Sequence, residues 1–147
     1  MDYFALTKPR VTLMTVLMGA GGVGLAGGLP AFEFICLLLG VSMSVGAANG
    51  LNMVLEKQTD AMMVRTSDRP IPAGRISPKN ATIFSCGLGL LSIALLATVN
   101  NVLTAAIALI ALLLYVFVYT PLKLKTTLAL PIGAIPGAAP PLMGVCA

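Results

Sequence analysis

Between Lys79 and Lys123 the chain carries no charged residue, and between Arg10 and Glu56 it carries only Glu33. A helix needs roughly 20 apolar residues to cross about 30 Å of hydrocarbon, and runs of that length recur along the sequence. The expected fold is therefore all-α, a polytopic transmembrane helix bundle in a lipid bilayer. Composition agrees. Of 147 residues, 58% are hydrophobic and 10% charged, with a mean hydropathy of +0.98, whereas soluble domains carry about 25% charged residues. Spans are expected near residues 11–29, 34–55, 81–99, 102–118 and 128–147.

Residues 1–10 form a short polar lead carrying Lys8 and Arg10. With that basic lead, 11–29 has a rival reading as a signal peptide; four further spans and dense glycine favour a spanning helix. Pro30 and Glu33 mark one turn, and Asn100 with Asn101 another. Tyr115 and Tyr119 fall near the end of the fourth span, as interfacial aromatics do. The fifth span is rich in Gly and Pro, tolerable where neighbouring helices satisfy the freed backbone groups. With the N-terminal side called inside, all nine Lys and Arg fall on inside segments: the N-terminus, the 56–79 loop and the 121–125 loop. The positive-inside rule then places the charged loop on the cytoplasmic side of a bacterial inner membrane, or on the matrix side of the mitochondrial inner membrane as the alternative.

Charge is concentrated in residues 49–79, which hold three of the five acids and five of the nine bases. Within this stretch Asn52, Glu56 and Asp60 recur every four residues. On a helix that spacing aligns the side chains on one face, roughly 6 Å apart along the axis. An amide oxygen and two carboxylates form a hard-oxygen surface suited to Mg²⁺. Arg65 and Arg69 repeat the spacing downstream, before Pro70 and Pro72 end any helix. Ligands for a cation followed by guanidinium groups for an anion suggest a metal-bridged phosphate site. The plainer alternative makes Glu56 and Asp60 solvated loop acids paired with Lys57 and Arg65. Against it, Asn52 precedes the first charge and so sits at membrane depth, where polar groups are costly and tend to be functional. Asp68 breaks the register and reads as a local arginine partner or turn former; Met62 and Met63 read as packing residues. Lys8, Arg10 and Lys79 read as topology signals.

Several chemistries drop out. The basic residues lie between apolar spans rather than in a stripe, so no nucleic-acid partner is expected. Cys36, Cys86 and Cys146 sit in apolar runs without metal-ligand spacing and read as small hydrophobes. There is no His, hence no usual neutral-pH base or haem ligand.

The run NMVLEKQTD at residues 52–60, followed by RTSDRPIPAGR at 65–75, resembles the first aspartate-rich motif of UbiA-type intramembrane prenyltransferases. Its arginine-proline tail is similar to that of the protohaem IX farnesyltransferase (haem O synthase) branch. YTPLK at 119–123, IGAIPGAAPPLMG at 132–144 and LTKPRVT at 6–12 match the same branch in the same order. The likeness covers essentially the whole chain. It departs from the family's pattern at Leu124 and Leu130, where the family has a basic residue and an Asn. A second acidic motif and the later helices of the roughly nine-helix fold have no counterpart here. The resemblance thus implies that residues 1–147 are the N-terminal half of one transmembrane prenyltransferase domain, with about five spans present.

What the resemblance implies is farnesyl transfer from farnesyl diphosphate to haem b, giving haem O for cytochrome oxidase. Asn52, Glu56 and Asp60 would be the catalytic metal ligands for Mg²⁺, and Arg65, Arg69 and Lys123 the diphosphate-binding cations. Asn49 and Tyr119 are candidates for the substrate cavity. Two alternatives stay open: a UbiA-type enzyme with a quinone-type or other aromatic acceptor, and a truncated, non-catalytic helix bundle or transporter subunit. The expectation for this chain alone is no turnover, since the metal cluster is shared between two acidic motifs.

Overall fold

The computed structural model describes residues 1–123, 126 and 129–147. The expected start of the fifth span at Leu128, and Leu124 and Lys125 of the basic loop, lie outside the described residues. Among the described residues the chain is helical without strands: α1 Asp2–Leu6, α2 Pro9–Leu25, α3 Ala31–Leu55, α4 Lys57–Met62, α5 Pro78–Leu95, α6 Val102–Leu113, α7 Thr120–Leu122 and α8 Ala129–Cys146. Two π-helical turns, Leu96–Asn100 and Leu114–Tyr119, extend α5 and α6. Counted with these turns, Ala31–Leu55, Pro78–Asn100, Val102–Leu122 and Ala129–Cys146 are each long and apolar enough to cross a membrane.

Local chemistry explains where the helices begin and end. Ser77 accepts the backbone N–H of Asn80 at 3.2 Å and Pro78 occupies the first turn of α5, where its missing N–H costs nothing. Asn101 likewise accepts the N–H of Thr104 at 2.7 Å to start α6. The first span is displaced from its expected 11–29 to Pro9–Leu25 because Gly27 and Gly28 adopt φ of +97° and +98°, a region that ends helices. Residues 1–10 are more ordered than a polar lead. They form α1, whose Leu6 is fully buried with Met53, Ile71, Ile76 and Ala81 in a small core at the charged end. Tyr3 packs against Phe84 with the rings tilted by 59°, and Arg75 joins Asp2 at 3.1 Å and Asp68 at 3.2 Å, so Asp68 is an arginine partner as expected.

α3 is the central helix, packed most extensively on α5 and also on α2 and α6. Val23, Leu37, Val41, Leu96, Ala105, Ala108 and Met143 form the main core. Outward faces remain apolar, with Leu103, Ile110 and Phe117 exposed, the architecture of a multi-pass membrane protein. The cysteines are free, one buried, one half-buried and one exposed. Lipid gives helices no hydrophobic reason to associate, so close backbone approach matters. Ser92 donates from Oγ to the Gly40 carbonyl at 2.7 Å between α5 and α3. α8 keeps Pro136, Pro140 and Pro141 within its helix and lays that region against α2. The Pro140 carbonyl faces Gly19, and the Pro141 carbonyl lies where a Cβ on Gly22 would collide with it. Gly144 meets the Gly19 carbonyl in the same way.

Gly22→Leu should therefore separate α2 from α8 and cost about 1–3 kcal/mol. Gly24→Leu, at an exposed position with open space around it, should change little. Unfolding in graded SDS mixtures checks the pair; equal effects would refute the contact.

Candidate active site

The helix carrying the acidic trio does not run straight. α3 stops at Leu55, Glu56 takes φ −91° and ψ 5°, and α4 resumes at Lys57. Hydrogen bonds nonetheless bridge the break, with Glu56 N–H donating to Asn52 O at 3.0 Å and Asp60 N–H to Glu56 O at 2.8 Å. The four-residue register survives, and all three side chains stay on the inner side. Asn52 is 0% exposed, and Glu56 and Asp60 are each 5% exposed.

Carboxylates so buried need opposite charge and hydrogen bonds. Lys123 Nζ lies 2.5 Å from Glu56 Oε1, and Arg69 NH1 2.6 Å from Asp60 Oδ2. Asn52 ties the pairs to the bundle. Its Nδ2 donates to Glu56 Oε2 at 2.9 Å, while its Oδ1 accepts from Thr120 Oγ1 at 2.9 Å and from Lys123 Nζ at 3.4 Å. Thr66 donates from Oγ1 to the Asp60 carbonyl at 2.8 Å, fixing the loop that carries Arg69. The pairing of the plainer alternative, with Lys57 and Arg65, is not found; the partners come from farther along the chain.

Six of the eight sequence-predicted site residues converge here: Asn52, Glu56, Asp60, Arg69, Lys123 and Tyr119, whose ring centroid is 5.5 Å from Lys123 Nζ. Arg65 is exposed, and among the described residues no hydrogen bond or ion pair joins it to the cluster. Asn49 is buried one turn earlier on α3 and donates to the Thr7 carbonyl at 3.3 Å. It lines an apolar cavity of about 230 Å³ together with Val41, Ala108, Tyr115, Gly137 and Met143. Tyr119 stacks on Tyr115, with centroids 5.2 Å apart, and lies beside that cavity rather than lining it.

Two residues escape the sequence reading. Lys8, taken there for a topology signal, is half-buried in a left-handed backbone conformation with φ 49°, which is strained for a side-chain-bearing residue. Burial, then the charges of Arg69 and Lys123, lower its pKa from 10.5 to about 8, while Glu56 and Asp60 act the other way. Lys8 is thus near enough to feel the charges of all four groups, although among the described residues no hydrogen bond or ion pair joins its side chain to them. Its only sequence signal is the following Pro9. Thr120 is the second, and nothing in its spacing marks it.

The donor set fits Mg²⁺ in one particular manner. Among the described residues no group of three or more His, Cys, Asp or Glu forms a closed cage. Two buried carboxylates and an amide oxygen are what a Mg²⁺ completed by water and phosphate oxygens requires. Asp60 Oδ1 is free of hydrogen bonds among the described residues.

Residues 12–147 match the UbiA prenyltransferase family. Protoheme IX farnesyltransferase of Myxococcus xanthus (strain DK1622) is 46% identical over 144 residues, covering 97% of this chain and 49% of that protein. The enzyme of the same name from Anaeromyxobacter sp. (strain Fw109-5) is 47% identical with the same coverage. The chain therefore spans about half the length of the curated relatives it matches. A UbiA homologue from Archaeoglobus fulgidus, solved bound to DMAPP and Mg²⁺, superposes with a TM-score of 0.85 at 20% identity, over 99% of this chain and 54% of that one. The all-helical topology is thus the one that homologue has, and the chain belongs to the UbiA prenyltransferase family.

Proposed function

We propose that this chain supplies the diphosphate-binding half of an intramembrane prenyltransferase domain, one that moves a farnesyl group from farnesyl diphosphate to haem b. The observation that carries the reading is the cluster in which buried Glu56 and Asp60 meet half-buried Lys123 and Arg69, beside an apolar cavity lined by Asn49 and Tyr115. The names of the relatives support haem b over a quinone-type acceptor. Asn52, Glu56 and Asp60 would hold Mg²⁺, which when bound supplies positive charge to the diphosphate. Arg69 and Lys123 already converge on these acids, so a diphosphate arriving there meets cations without long rearrangement. Arg65 would reach it from the exposed side of the loop. Withdrawal of negative charge from the leaving diphosphate lowers the barrier to an allylic carbocation-like centre. The apolar walls, Val41 and Met143 among them, keep water from that centre. The basic residues set the loop 56–79 on the cytoplasmic side of a bacterial inner membrane.

The reading is tested by joining this chain to the second half of the Myxococcus xanthus relative. The joined protein should farnesylate haem b with Mg²⁺, whereas the isolated chain should not. Asp60→Asn in the joined protein should weaken Mg²⁺-dependent farnesyl diphosphate binding by at least about tenfold, or about 1.4 kcal/mol. Unchanged binding would sink the ligand assignment.

A second measurement bears on Lys8. Its lowered pKa means that holding it protonated in the folded chain costs stability below pH of about 8, and that stability rises as the pH climbs from there towards 10.5. NMR of ¹³C-dimethylated lysines, with Lys8 assigned by Lys8→Arg, should show one lysine titrating near pH 8. Arg69→Met removes a cation that depresses it and should move it upward; a midpoint above 10 in the parent would place Lys8 outside the cluster.

A further inference from the structure

We propose that Thr120 is a positioning residue, which holds the Asn52 amide oxygen in place through its hydroxyl. Thr120 is 2% exposed, and its Oγ1 is 2.9 Å from Asn52 Oδ1 and 2.8 Å from the Tyr115 carbonyl. Both partners are acceptors and a hydroxyl has one proton, so it serves one of them at a time. The Tyr115 carbonyl already accepts the backbone N–H of Thr120. Asn52 Oδ1 has only the Lys123 ammonium, at 3.4 Å, as its other donor among the described residues. The proton is better used on Asn52.

The preceding π-helical turn sets this geometry. An α-helix advances about 100° per residue, and a π turn holds one extra residue in its hydrogen-bonded loop. The segment from Thr120 to Lys123 is therefore turned by about one residue relative to an uninterrupted α6. Thr120 and Lys123, three residues apart, share the face this turn brings round to α3. One points its hydroxyl at Asn52 and the other its ammonium at Glu56 and Asn52.

The two donors to Asn52 differ in one respect that matters. Lys123 is a cation, and any anion in the site competes for it. Thr120 is neutral and has nothing to gain by leaving. With Lys123 drawn towards a diphosphate, Thr120 is the donor that remains on Oδ1 among the described residues, and it acts together with the Nδ2–H bond to Glu56 to hold the amide. Loss of the hydroxyl leaves the amide held from the Glu56 side only, so that its orientation loosens and its N–H groups open to exchange more often. The amide lock is a property of this chain; its effect on the metal rests on the proposed function.

The experiment reads the two levels separately. In the isolated 147-residue chain in micelles, the Asn52 side-chain amide is assigned by Asn52→Asp and its exchange with water measured by NMR. The parent and Thr120→Ser should show a slowly exchanging pair, and Thr120→Val should exchange at least about tenfold faster. In the protein joined to the relative's second half, Thr120→Val should raise the Mg²⁺ concentration for half-maximal farnesyl diphosphate binding by about tenfold, with Thr120→Ser restoring it. Equal amide exchange in parent and Thr120→Val overturns the lock. Faster exchange with unchanged Mg²⁺ dependence overturns the positioning role. A parent that binds no farnesyl diphosphate refutes the proposed function, and the amide exchange still decides the lock.

Discussion

A carboxylate withdrawn from water has to be met by positive charge, and in this chain two of them, Glu56 and Asp60, sit one turn apart at the inner end of α3 and α4. Glu56 is met by Lys123, from beyond α6, and Asp60 by Arg69, nine residues on in the loop after α4. Leaving either acid alone would cost about 3–5 kcal/mol. That demand fixes where the loop after α4 lies and how α6 ends. The loop folds back so that Arg69 reaches Asp60, and Ile71 and Ile76 close the small core over Leu6 and Met53. α6 passes through a π turn so that Thr120 and Lys123 face α3.

The apolar remainder is a scaffold for that end. Glycine contacts bring α2 and α8 together at backbone distance, and α3 lies between α2 and α5. The cavity beside Asn49 and Tyr115 adjoins the charged cluster because Asn49 is one helical turn from Asn52 and the Tyr115 carbonyl meets Thr120. A charged head and an apolar tail on one ligand thus find their environments side by side. Under the proposed function, this pairing is what an allylic diphosphate would use.

Much of the site is legible in the sequence because charge is rare there. In a chain with so few ionisable residues, Asn52, Glu56 and Asp60 at helical spacing stand out, and Arg69 and Lys123 lie in the motifs that flank them. The spans are legible for the same reason. Which cation meets which acid is not, since that depends on chain return rather than spacing; Lys57 and Arg65 are nearer in sequence yet pair with neither acid. Lys8 looks like any juxtamembrane lysine until its left-handed backbone and half-buried position are seen. The break at Glu56 leaves no trace in the four-residue register. The π turns leave none either, because one extra residue in a uniformly apolar run changes no pattern. Thr120 lies in the same YTPLK motif as Lys123, but its approach to Asn52 depends on such a turn and cannot be read from spacing. Asn49 fared differently: its neighbours Gly46, Ala47, Ala48 and Gly50 already mark a place where helices approach closely.

Glu56, buried, and Lys123, half-buried, form a mutually dependent pair, and a double-mutant cycle measures that dependence directly. Unfolding free energies of the parent, Glu56→Gln, Lys123→Met and the double variant would be compared in graded SDS mixtures. Losing Lys123 strands Glu56 away from water, and losing Glu56 leaves Lys123 a half-buried cation without its acid, so the two single changes should sum to a larger destabilisation than the double change. The account predicts a coupling of about 2 kcal/mol, within the usual range for contacting residues. Additive effects, with a coupling within about 0.5 kcal/mol of zero, would mean that the acid and the cation are solvated independently, and would contradict it.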